Sequence, residues 1–238
     1  MLLAAGMSTR IASVGEGIPK PLLPVQGEPI LVRNVRWLAA AGVRDIWVNL
    51  HYRGDLIQAV LRDGSPWGVR VHYSEEPNIL GTAGGVRKVL DFLPATFLVV
   101  YGDNLVCLDV SSLLALHRRE RADVTIAVFD DTIPNTGIAG GRVRLDERNA
   151  VTGFAEGVPE LEDARFVNAG VYVVQRDTLA DLPAGRFLDW GRDVFPALLG
   201  RGARLIGYPI EGYCLGLDTP ESYLRGMSLI NSGQVTLQ

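Results

Sequence analysis

Pro19 and Pro21 flank Lys20, hold the backbone extended and aim a single ammonium outward, a point charge suited to an anion. The position stands out because only Lys20 and Lys88 among the 23 basic residues are lysines. Upstream, Leu2-Leu3-Ala4-Ala5-Gly6-Met7-Ser8-Thr9-Arg10 runs from an apolar stretch into a turn of small residues. Such residues admit a ligand to the backbone, whose N–H groups can cradle phosphate oxygens while Arg10 neutralises them. Further along, Gly102-Asp103-Asn104 sets a carboxylate directly after an apolar run. No Ser-His-Asp or Cys-His arrangement is evident, and His51, His72 and His117 read as structural or surface residues.

These residues need elements to position them. Met1–Ala5 reads as a buried strand breaking at Gly6, an abrupt start that leaves open whether residues precede it. Apolar spacing predicts a helix over Ile30–Ala41 with Gly42 at its C-terminus. Strands follow at Asp45–Leu50, Val69–Tyr73, Thr96–Tyr101 and Val124–Phe129. Helices fall between them at Leu56–Leu61, Gly84–Leu93 and Leu113–Glu120. This alternation argues for an α/β fold, a mostly parallel sheet with helices on both faces. Closely spaced strands at Arg142–Asp146, Val151–Ala155 and Gly170–Val174 suggest a small antiparallel lobe. A helix near Trp190–Leu199 and a strand near Arg204–Tyr208 complete the reading. In such sheets ligands sit beyond the carboxyl ends of the strands, which is where Gly6, Asp103 and their neighbours fall.

Composition bounds the rest. The 238 residues carry 23 Lys+Arg against 27 Asp+Glu, a formal charge of −4, which speaks against nucleic acid as a partner. With 47% hydrophobic and 21% charged residues the chain can bury a sizeable core. No apolar run approaches the ~20 residues of a membrane span, and no leader pattern is evident. Cys107 and Cys214 lack metal-site spacing and suggest a reducing, cytoplasmic setting. The His117–Arg121 run reads as a solvated helix face. Periodicity leaves a homo-oligomer open.

The first two segments resemble the signature L-A-[AG]-G-x-G-T-R followed by P-K-P-L-[LV]-P-V-x-G-x-P-[IL] of the sugar-1-phosphate nucleotidyltransferases. Leu80-Gly81-Thr82-Ala83-Gly84-Gly85 is similar to that family's L-G-T-A-G-[AG] loop and Gly102-Asp103-Asn104 to its G-D-x element. Asn168-Ala169-Gly170-Val171-Tyr172 resembles N-A-G-[IV]-Y, and Asp218-Thr219-Pro220-Glu221-Ser222-Tyr223 resembles the closing G-T-P-E-D-Y. The resemblance implies a Rossmann-like, glycosyltransferase-A-type sheet in one domain over residues 1–238, with a nucleotide-binding half (1–135) and a sugar-binding half (136–238). It looks most like the mannose- and heptose-1-phosphate guanylyltransferase branch.

What the resemblance implies for residues is specific. Leu3, Ala4, Ala5, Gly6, Ser8, Thr9, Gly81 and Thr82 would meet the nucleotide, and Gly102, Glu156, Asn168 and Gly170 the sugar. Arg10 would bind the triphosphate, Lys20 would bridge the phosphates, and Asp103 would hold Mg²⁺. The substrates would be a nucleoside triphosphate and a sugar 1-phosphate, joined with loss of pyrophosphate.

Three positions depart from the pattern. Ser8 stands where the family has glycine. Gly216 stands where D-[IV]-G-T-P has its metal-binding aspartate; Asp218 lies two residues on, the same face of an extended segment, and would substitute if the backbone shifts by about 6–7 Å. Phe154-Ala155-Glu156-Gly157-Val158-Pro159 lacks the lysine of F-x-E-K-P, and Arg142, Arg144 or Arg165 are candidates to replace its charge. These departures keep a second reading in view, a nucleotide-sugar-binding regulatory subunit. Uridylyl-, thymidylyl- and molybdopterin cytidylyltransferase-like enzymes share parts of the pattern.

Overall fold

The computed structural model describes residues 1–8, 11, 13–15, 17–133, 140–157, 160–161 and 163–237. Its first strand, β1 (Leu2–Leu3), is shorter than Met1–Ala5, because the backbone N–H of Ala4 is taken by a side chain, that of Asn49. A hairpin of β2 (Pro24–Val25) and β3 (Glu28–Pro29) precedes α1 (Ile30–Ala40). Then come β4 (Asp45–Leu50), α2 (Gly54–Leu61), β5 (Arg70–Glu75), α3 (Gly81–Lys88), β6 (Thr96–Tyr101), β7 (Asn104–Val106) and α4 (Val110–Arg119). The second half adds β8 (Val124–Asp130), β9 (Arg142–Leu145), β10 (Val151–Ala155) and β11 (Phe166–Gln175). A single π-helical stretch, Trp190–Val194, leads into α5 (Phe195–Gly200), followed by β12 (Leu205–Pro209), β13 (Cys214–Gly216) and α6 (Pro220–Asn231).

One nine-stranded mixed sheet dominates, in the order β10-β9-β11-β6-β1-β4-β5, with β8 joining β11 and β12 joining β8. β1 lies parallel to β4 and β6, β4 to β5, and β8 to β12. β11 runs antiparallel to β6, β8 and β9, and with β9 and β10 it forms the expected antiparallel region. Period-2 alternation divides the core. Val171, Val173, Ala127 and Phe129 pack with Leu31, Val35, Ile57 and Leu113 from α1, α2 and α4. Tyr172, Val174, Ile126 and Val128 face the other way, onto Val86, Trp190, Phe195 and Leu198 from α3, the π-helical stretch and α5.

β11 is ten residues long, twice the expected Gly170–Val174, and its register with β8 shifts between Asn168 and Tyr172. Gly170 sits in that shift at φ +72°, and a Cβ there would fall 2.9 Å from both Asn104 Nδ2 and Tyr101 Cγ. Only glycine lets β11 bend past the end of β6 at this point. α6 starts from a reciprocal capping pair, Thr219 Oγ1 accepting from Ser222 N and Ser222 Oγ from Thr219 N, with Pro220 in the first turn.

Candidate active site

Two small strands bring the acids together. β13 pairs antiparallel with β7, Gly216 opposite Asn104, so Asp218 emerges beside Asp103, which follows β6. Lys20 lies on a short 3-10 turn, Lys20–Leu22, that packs against α1, and its side chain is only 8% exposed. Its Nζ donates to Asp103 Oδ2 at 2.6 Å and also to Asp218 Oδ1. Burial by itself pulls the Lys20 pKa down, but Asp103 and Asp218 outweigh burial and hold the ammonium above its ordinary value. The β7–β13 pairing is what sets Asp218 beside Asp103.

Ser8 adopts a left-handed conformation, φ +55°, of the kind glycine favours, and its Oγ accepts the backbone N–H of Lys20 at 2.7 Å. The departure therefore ties the turn after β1 to the lysine. Thr9 and Arg10 lie outside the described residues.

A cleft of about 320 Å³ opens across the strand ends, bordered by Leu3, Ala5, Gly6, Gly81, Thr82, Asp103, Glu156, Asn168, Gly170 and Asp218. A recess of about 160 Å³ adjoins it around Ala4, Gly6, Ser8 and Lys20, with Asp103 and Asp218 facing both. Gly102 is not among the lining residues; it is buried, with its N–H given to Leu3 O at 2.9 Å and no room for a Cβ against that carbonyl.

A buried chain of hydrogen bonds fixes the width of this cleft. Asn49 Oδ1 accepts from Ala4 N, Asn49 Nδ2 donates to Glu76 Oε1 at 2.8 Å, and Glu76 Oε2 accepts from Leu80 N at 2.9 Å. The turn after β1 and the start of α3 are thus tied to one pair of side chains. Sequence reasoning passed over both, since polar residues inside or just after strands carry no pattern of their own.

The far end is built differently. Asp189 caps the π-helical stretch, its Oδ1 accepting from Gly191 N at 2.9 Å, while its Oδ2 accepts from Thr82 Oγ1 at 2.8 Å. Asp189 was also missed, although Asp189-Trp190-Gly191-Arg192 carries the N-cap signal. Asn168 Nδ2 donates to Tyr172 Oη at 2.8 Å and its Oδ1 accepts from Gly170 N, so the amide is held by the bend it lies in. Burial first, then the charge of Asp189, pushes the Glu156 carboxyl above its ordinary pKa, with Arg192 opposing. Phe187, 59% exposed, stands at the mouth.

The histidines do structural work elsewhere. His51 Nδ1 meets Glu76 O at 2.7 Å and His72 pairs with Asp45. His117, expected on a solvated face, is buried between Thr125 and Gln175.

The donor set suits a divalent cation. Two carboxylates already converge on one positive charge, and hard oxygens from one or two acids, completed by phosphates and water, are what Mg²⁺ takes. Among the described residues no group of three or more His, Cys, Asp or Glu could hold a metal unaided.

Comparison with known proteins agrees with this geometry. The family model described as nucleotidyl transferase matches residues 1–232. A mannose-1-phosphate guanylyltransferase of Mycobacterium tuberculosis is 35% identical over 228 residues, covering 95% of this chain and 62% of that protein. A UTP–glucose-1-phosphate uridylyltransferase of Synechocystis is 34% identical over 217 residues, 85% of this chain and 55% of that one. The chain thus spans under two thirds of the length of these curated relatives. The crystal structure of HddC from Yersinia pseudotuberculosis complexed with GMP-PN superposes with a TM-score of 0.80 at 23% identity, covering 95% of this chain and 96% of that one. At that identity the likeness establishes the shared fold. No helix among the described residues is long and apolar enough to cross a membrane.

Proposed function

We propose, from the premise that the chain belongs to the nucleotidyl transferase family, that it joins a nucleoside triphosphate to a sugar 1-phosphate. GTP and a mannose- or heptose-like sugar are the favoured pair. The observation that carries this reading is the convergence of Lys20, Asp103 and Asp218 where the cleft meets its recess. An oxygen of the sugar phosphate attacks the α-phosphorus in line and forms a new P–O bond. The bond to the β-phosphate oxygen breaks, and pyrophosphate leaves with the electron pair. Both reactants are anions, so alignment and charge neutralisation are the protein's main contributions.

Each residue then has a task. The backbone around Ala4–Ser8 lies against the nucleotide, held by Asn49 and Glu76. Lys20, on a flexible four-carbon stem, turns its ammonium from the two carboxylates to the phosphate oxygens. Asp103 and Asp218 would hold Mg²⁺, which when bound neutralises phosphate charge and orients the triphosphate. Glu156 and Asp189 face the sugar end, where carboxylates accept from hydroxyls. The regulatory alternative drew on Gly216, and Asp218 beside Asp103 removes that part of its support.

The guanylyl and uridylyl relatives stand at 35% and 34% identity, so the base is a question for experiment. Pyrophosphate release should be measured with Mg²⁺ across GTP, UTP, dTTP, CTP and ATP, each paired with mannose, glucose and heptose 1-phosphates. Release that requires both partners, fastest with GTP and mannose or heptose 1-phosphate, is expected. Silence throughout, with tight binding of a finished nucleotide sugar, would replace the enzyme with a binding subunit.

A further inference from the structure

Phe187 borders the cleft with its ring in water. It is 59% exposed, whereas the other large apolar residues among those described on the cleft border, Leu3, Ile79 and Tyr101, are buried or half-buried. A phenylalanine ring left in water forgoes the stabilisation that burying its area would give. An isolated exposed ring needs no explanation on an ordinary surface, but this one stands at the mouth of a site, on backbone that is not free to move.

That backbone is pinned to the start of α3. Leu188 O accepts from Ala83 N at 2.9 Å and from Gly84 N at 3.1 Å, two donors of the first turn, and Leu188 N donates to Leu80 O at 2.9 Å. So close an approach needs glycine in the helix. A Cβ on Gly81 would stand 2.5 Å from Leu188 O, and one on Gly84 2.5 Å from Arg186 O. Along this strap the side chains alternate: Phe187 and Asp189 border the cleft, whereas Leu188 packs with the core that contains Val86 of α3. Asp189 is fixed in turn by Thr82 Oγ1 and Gly191 N. Its charge is felt at Glu156, so the ring and both acids share one end of the cleft.

We infer that Phe187 is the platform for the sugar ring of the sugar 1-phosphate, its aromatic face against the C–H face of the pyranose while Glu156 accepts from hydroxyls at the rim. The inference rests on the proposed transfer reaction and adds to it the side chain that reads the sugar's apolar face. A pyranose carries hydroxyls around its rim and C–H bonds on its faces, so carboxylates alone would hold the rim and leave a face wet. Sites for small molecules combine an apolar or aromatic wall with a few placed polar groups, and Phe187 supplies that wall at an end otherwise bordered by acids. The electron-rich face of the ring suits C–H bonds, and the pinned strap sets its position before the sugar arrives.

The test is a series at one position, Phe187→Trp, Phe187→Leu and Phe187→Ala, with initial rates of pyrophosphate release at varied sugar 1-phosphate and varied nucleoside triphosphate. The expected result is a KM for the sugar phosphate that rises in that order, within about twofold of wild type for Trp, about threefold for Leu and roughly 10-fold for Ala, the scale of one aromatic contact and its buried area. KM for the triphosphate and kcat should stay within about twofold, since the ring touches neither the triphosphate nor the reacting atoms. Phe187→Trp adds a second readout, because it places a fifth fluorophore beside the four native tryptophans. Its emission, less that of wild type, should respond to sugar 1-phosphate added after a non-hydrolysable analogue of the best triphosphate, and not to the analogue alone. An active enzyme whose Phe187→Ala variant keeps its KM for the sugar phosphate would overturn the inference and leave the transfer reaction standing. So would a rise in KM for the triphosphate alone, or an emission response to the analogue alone, either of which would give the ring to the base. A wild type that releases no pyrophosphate with any pair would overturn the transfer reaction and the inference with it.

Discussion

The two ends of the cleft handle charge in opposite ways. Around Lys20 the protein neutralises itself, one buried ammonium bonded to two carboxylates brought from 83 and 198 residues away in the chain. Around Glu156 and Asp189 it does not: no lysine or arginine is among the described residues that border the cleft there. The first end must exchange partners to act on a triphosphate; the second needs only to receive a ligand. Substitutions at the Lys20 end should therefore disturb both chemistry and fold, whereas those at the Glu156 end should weaken binding without weakening the fold.

The largest effect is expected from Asp103→Ala, a loss of about a thousandfold in kcat, the scale on which preorganised charge acts in a transition state. It is read from steady-state rates at saturating Mg²⁺; unchanged turnover would remove Asp103 from the metal site. Next comes Asn49→Leu, which strands the Ala4 N–H and one oxygen of Glu76 in a buried setting. Losing those partners should cost about 1–3 kcal/mol by urea denaturation and raise the KM for the triphosphate more than that for the sugar phosphate.

Glu156→Gln sharpens the contrast through pH. A carboxyl whose folded pKa is raised holds its proton longer in the folded state, so its contribution to stability is full at low pH. That contribution declines as pH rises from the unfolded value, 4.5, through the raised folded value. Removing the titrating group should flatten that decline and raise Tm at neutral pH, as scanning calorimetry from pH 4 to 8 would show. The smallest effect is expected far from the cleft. Hydrogen bonds from Arg70 and then His72 hold Asp45 down to about 2, so its share of stability is present above 3.8 and lost as pH falls toward 2. Both partners are exposed, and Asp45→Asn should cost less than about 1 kcal/mol.

Much of the architecture was legible because its signals are local. The strand–helix alternation, the glycine at the end of α1 and the small-residue turns all lie within a few residues of what they determine. The site was legible where chemistry follows a strand end, as at Asp103, or where prolines isolate a lysine. What escaped depends on contacts distant in sequence. Asp218 was named as the substitute acid from the closing motif, but its meeting with Asp103 follows only from the pairing of β13 with β7, which no spacing between the two announces. Arg142, Arg144 and Arg165 were reasonable candidates by proximity in sequence, yet each is taken by an aspartate that the fold delivers.

The central claim is that Lys20, Asp103 and Asp218 form the reaction centre, with Asp218 doing the work that Gly216 cannot. The most direct test is pyrophosphate release by Asp218→Asn beside wild type, at saturating amounts of the best substrate pair and across a Mg²⁺ titration. The account predicts a fall of at least about a hundredfold in kcat and a shift of the Mg²⁺ midpoint to higher concentration. Wild-type turnover with an unshifted midpoint would contradict it.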